Sequence, residues 1–72
     1  MSSTYRMRQT EPNKVVIEMD TASGWISVDT VSSIFEGKER IVDLKMKEDW
    51  VCQIYDEAGN LVGSAGASHQ PV

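Results

Sequence analysis

Hydrophobic and polar residues alternate along most of this chain. In KVVIEMD (14–20), Val15, Ile17 and Met19 fall on one side and Val16 and Glu18 on the other. A period of two predicts a strand. TASG (21–24) supplies small turn formers, and WISV (25–28) resumes the alternation, so residues 14–28 predict a hairpin. IVDLKMK (41–47) sets Val42, Leu44 and Met46 against Ile41, Asp43, Lys45 and Lys47, and DWVCQIY (49–55) sets Trp50, Cys52 and Ile54 against Val51, Gln53 and Tyr55. These two read as a second hairpin closed by a short charged loop.

YDEAGN (55–60) reads as a turn. Asp56 takes the first position of a type I turn, where its carboxylate can accept bonds from the backbone ahead, and Gly59 takes the fourth. A calcium loop needs oxygen ligands at alternating positions, a glycine at the sixth and a closing bidentate glutamate. Asp56, Glu57 and Asn60 lack that spacing. NLVGSA (60–65) then returns as a short last strand.

One segment departs from the strand rule. VDTVSSIFEGK (28–38) places Val28, Val31, Ile34 and Phe35 at helical spacing. Asp29 is suited to cap it and Gly37 to end it in a left-handed conformation. Serine and threonine are poor helix interiors, so two turns near residues 30–36 are expected, with Ile34 and Phe35 plugging one end of the core.

The fold expected is therefore β-rich α+β, or all-β. It is a small antiparallel sheet or half-barrel of about five strands, with one short helix between strands 2 and 3. Residues 13–65 form the single globular domain. Residues 1–12 form a flexible or edge-strand arm that Pro12 ends, and residues 66–72 a disordered tail.

Composition supports the sheet. Eight valines and five isoleucines stand against two leucines. Branching at Cβ restricts χ1, which costs little on a pleated strand and more in a helix. At 72 residues the chain buries only about 60–65% of the surface its unfolded form exposes. One cysteine and one histidine provide neither a disulfide nor a metal site within a single chain, so no cofactor or metal is expected. Self-association into a homodimer is a natural supplement to so small a core.

Eleven acidic residues against seven basic ones leave a net charge of −4. Three cations (Arg6, Arg8, Lys14) and one anion (Glu11) in residues 1–14 make that end +2 and the remainder −6. This balance argues against general binding to nucleic acid or to a membrane surface. No apolar run reaches the ~18 residues of a membrane span, and MSSTYRMRQTEP lacks the apolar core of an export signal. A cytoplasmic setting is expected.

Catalysis has little to draw on. His69 lies in the polar tail, Cys52 points inward beside Trp50 and Ile54, and no serine sits in a nucleophile motif. The carboxylate pairs Glu48-Asp49 and Asp56-Glu57 fall at expected hairpin tips, where water keeps both groups ionised; acid–base work needs one with a raised pKa in a dry pocket. The chain is read as no enzyme.

Protein binding suits the sequence best. Trp25, after its turn, and Tyr55, on the face opposite the expected core, are the aromatic anchors of an interface. Glu48, Asp49, Asp56 and Glu57 would steer it toward a basic partner surface. The function expected is that of a small interaction protein, an inhibitor or accessory subunit of the kind viruses direct against host machinery, working by occupying a partner's surface. The alternative is a single-stranded nucleic-acid module using Tyr5, Arg6 and Arg8 as a stacking and phosphate-binding arm. A third reading is a structural subunit of a homo-oligomer.

Overall fold

The computed structural model describes residues 2–44 and 49–67. The elements follow as β1 (Ser2–Glu11), β2 (Lys14–Thr21), β3 (Gly24–Val31), α1 (Ile34–Leu44), β4 (Asp49–Tyr55) and β5 (Leu61–Ala67). The strands form one sheet in the order β3-β2-β1-β4-β5.

The fold is mostly sheet with one short helix, as the alternation implies, but three expectations change. The N-terminal segment is neither a free arm nor an edge: β1 lies in the middle, antiparallel to β2 and parallel to β4. Counting it as a strand moves the helix from between strands 2 and 3 to between strands 3 and 4. The parallel β1–β4 pair makes the sheet mixed rather than antiparallel.

The segment IVDLKMK changes as well: its first four residues are helical, with residues 45–48 outside those described. The helix is also longer than the two turns expected. Passing from β3 to β4 crosses three strand spacings, roughly 14 Å at about 4.8 Å each. Eleven residues at about 1.5 Å per residue span some 16 Å, so the helix alone matches the width of the crossing.

The helix is capped by Ser33, not Asp29. The Ser33 hydroxyl accepts from the Glu36 amide at 3.1 Å, and the Glu36 carboxylate accepts from the Ser32 amide at 3.1 Å. Ser33-x-x-Glu36 is the spacing of a capping box, a signal that the valine stripe at 28–35 outweighed. Asp29 belongs to β3 and accepts from Arg40 Nε at 2.7 Å.

Gly37, expected as the terminator, is mid-helix and buried against the sheet, where a Cβ would collide with the Met7 sulphur. Phe35 does not plug the core; it is 72% exposed. Ile41 is the helical residue buried in it, and Ile34 packs against it partly buried.

The core is one-sided. Tyr5 and Met7 of β1, Val15 and Ile17 of β2, Val31 of β3, and Trp50, Cys52 and Ile54 of β4 pack with Ile41 on the helix side. Alternation places each of these strand residues on that face, and the register aligns them in rows such as Ile17–Met7–Ile54. Among the described residues the other face of the sheet carries no helix.

Candidate functional site: the uncovered face of the sheet

The uncovered face is built from the opposite parity of the same strands. Arg6 and Arg8 alternate with Tyr5 and Met7 in β1, and the register sets Arg6 beside Glu18 of β2 on one side and Gln53 of β4 on the other. Arg8 lies between Val16 and Tyr55. On β3, a bulge at Val28 shifts the pairing so that Ser27 faces Glu18 and Trp25 faces Asp20.

Glu18 is the hub of this face. Arg6 Nε donates to Glu18 Oε1 at 2.8 Å and Arg8 Nε to the same oxygen at 2.5 Å, while Arg8 Nη2 reaches Oε2 at 3.3 Å. Its side chain is only 11% exposed. The Arg8 hydrogen bond, reinforced by that from Arg6 against the opposing effect of burial, holds the Glu18 carboxyl below its ordinary range. Reciprocally, Glu18 raises the pKa of the Arg8 guanidinium.

Arg6 makes a second contact. Its guanidinium lies 4.2 Å from the centroid of the Trp25 ring, reaching over β2 to β3. With its Nε committed to Glu18, the planar group is held over the indole rather than swinging free. Such a stack at a partly exposed site contributes about 0.5–1 kcal/mol. Trp25 remains 37% exposed.

At the far end of β1 and β4 the face opens into a cleft of about 490 Å³ lined by residues of β1 (Arg6 and Arg8 to Thr10) and by Tyr55, Asp56, Glu57 and Gly59. The Tyr55 hydroxyl donates to Gln53 Oε1 at 2.9 Å, fixing the ring along β4. The turn beneath it is the one expected. Gly59 N donates to the Asp56 carbonyl at 3.0 Å, Asp56 Oδ1 accepts from the Ala58 and Asn60 amides at 3.0 and 2.9 Å, and Gly59 takes a φ of 87°.

The structure thus brings Trp25, Tyr55, Arg6, Arg8, Asp56 and Glu57 to one face. Tyr5 is not among them: it is 2% exposed in the core, so it has no ring to offer a base. Asp49 and Asp56 do not share one patch. Asp49 begins β4 and Asp56 follows its end, roughly 23 Å apart at about 3.3 Å per residue. Glu48 and His69 lie outside the described residues. Cys52 is buried, and burial pushes its thiol up to about 11, far from nucleophilic.

Glu18 is the residue that strand patterning passed over. The Pro12-Asn13 link sets Glu11 opposite Lys14 and by itself would put Met19 opposite Arg6; the irregularity between Gln9 and Glu11 shifts the register by one and brings Glu18 there, which no local pattern signals. Compared with protein-family models, curated proteins and solved structures, the chain matches none of them. Among the described residues no helix is long and apolar enough to cross a membrane.

Proposed function

We propose that this chain is a binding protein rather than an enzyme, an inhibitor or accessory subunit that occupies a partner protein with the uncovered face of its sheet. One observation supports this above the others: Arg6 is held over the exposed Trp25 ring by Glu18. Tryptophan, tyrosine and arginine are the residue types that dominate binding energy at protein interfaces. Anchors whose side chains are already ordered lose less freedom when a partner arrives.

Charge favours a protein over a nucleic acid. Arg6, Arg8 and Glu18 together carry only +1, and the rest of the chain then carries −5. A phosphate backbone would have to displace Glu18 from both arginines and approach an anionic body. A protein surface that is itself basic near Asp56 and Glu57 meets no such cost.

The test is capture from host lysate on the immobilised full chain, with and without nuclease, comparing wild type with Trp25→Ala, Tyr55→Ala and, on the helix, Phe35→Ala. The reading expects a stoichiometric, nuclease-resistant protein that Trp25→Ala and Tyr55→Ala lose and Phe35→Ala keeps. Nuclease-sensitive material absorbing at 260 nm and lost with Arg6→Gln would replace it with nucleic-acid binding. Retention of a protein by all the variants would move the interface elsewhere.

A further inference from the structure

The sheet has two edges, β3 and β5, and they are not alike. An edge strand presents a row of unpaired amides and carbonyls, and proteins blunt such edges with charges, proline or bulges. β3 is blunted: Val28 bulges out of the pairing and the Asp29–Arg40 ion pair sits at the same place. β5, LVGSAGA, has no proline and is the one described element without a charged residue. Its single bulge, at Val62, leaves Gly63–Ala67 in regular register with Ile54–Trp50 of β4.

β5 is also poorly accounted for within one chain. Glycine, alanine and serine are weak strand formers, so Gly63–Ala67 is held by pairing rather than by propensity. It pairs on one side only, and Leu61 and Val62 at its start are 58% and 60% exposed. We propose that the occupant of this edge is a second copy of the chain, joined β5 to β5 in antiparallel pairing, so that two sheets become one of ten strands.

The small residues of β5 admit its own copy, and charge selects the place. Two copies of net charge −4 repel, and the edge of β5 is where backbones can approach with no charged side chain on either strand. A strand that meets its own copy about a two-fold axis pairs residues of the same face. With the axis at Ala65, Gly63 faces Ala67 and Ser64 faces Gly66, so no two bulky side chains oppose each other. Five residues of new ladder make a small interface, expected at the weak, concentration-dependent end of the range.

The axis stands perpendicular to the sheet, so both helices lie on one side and both uncovered faces on the other. The dimer would therefore present two Arg8–Tyr55 clefts on a single surface. The proposal stands whether or not that surface binds a foreign protein.

Sedimentation velocity of the purified full chain, from about 10 μM to about 1 mM, tests it. The expected result is a rise from 8.0 kDa toward twice that mass. The exposed-residue double substitution Val62→Lys with Ser64→Lys should hold the chain at monomer mass, and Thr30→Lys on β3 should leave the dimer unchanged. Independently of any variant, amide hydrogen exchange of wild type should slow for 63–67 with concentration and stay constant for 24–31. A wild-type monomer at 1 mM, a dimer that Thr30→Lys breaks, or concentration-dependent protection confined to β3 would each overturn the proposal.

Discussion

Gly37 of α1 sits directly against Met7 of β1, so close that the helix admits no side chain at that position. This contact lets an eleven-residue helix lie across the middle of the sheet, and it ties the helix to the central strand. Gly37→Ala would ordinarily gain about 1 kcal/mol of helix propensity. Here Met7 is fully buried and has nowhere to move. Thermal and denaturant unfolding should show a loss of about 1–3 kcal/mol instead. Pairing it with Met7→Val, which removes the sulphur, should make the double mutant more stable than the two single losses summed; strict additivity would show that the contact does not limit the helix.

Glu18 joins both arginines, so its charge is a stability determinant with a defined pH window. Its folded pKa lies below the ordinary value near 4.5. The contribution is therefore fully present above about pH 4.5 and lost as pH falls through the lower, folded pKa. Glu18→Gln should cost about 1–2 kcal/mol at pH 7. Urea titrations of both proteins should converge below that folded pKa; a gap that widens on acidification would contradict the linkage.

The two tryptophans differ sharply in environment, since Trp50 is buried and Trp25 is partly open beneath Arg6. Trp25→Phe should leave a blue-shifted emission that acrylamide barely quenches. Arg6→Gln should raise the quenching of wild-type fluorescence by uncovering Trp25, with no more than about 1 kcal/mol lost in stability. Unchanged quenching in Arg6→Gln would mean that the guanidinium does not shield the ring in solution.

Cys52 offers a check on the core from inside. With its thiol pushed up to about 11, on the order of one molecule in a thousand carries a thiolate at pH 8. A disulfide reagent should label the folded protein only through unfolding, at a rate that rises with denaturant and falls when the protein is stabilised. Rapid labelling without denaturant would place Cys52 at an accessible surface.

Much of this architecture was legible in the alternation. Val15 and Ile17, and Trp50, Cys52 and Ile54, are buried as their parity requires, and Tyr55 and Val51 point away from the core. Asp56 and Gly59 make the turn their chemistry favours, because its bonds are all within five residues. Local rules suffice where the partners are local.

They failed where a segment satisfies two periods. Ile41, Val42 and Leu44 fit a strand as well as a helix; the helix is selected because the segment crosses the sheet face without a strand partner, where a helix pairs its own backbone and still buries Ile41. The arm of residues 1–12 failed for a related reason. Its Tyr5 and Met7 alternation is that of a strand, but an alternating segment does not say whether it will stand at an edge or in the centre.

The sequence alone determined the mostly-sheet character, the sides of β2 and β4 that face the core, and the β4–β5 turn, because each rests on side-chain parity or on bonds between near neighbours. Only the tertiary structure decided that β1 is central and parallel to β4, that Glu18 gathers Arg6 and Arg8, and that Arg6 covers Trp25. Those depend on which strands lie side by side, and strand order is set by the long connection through α1, whose path no local pattern encodes.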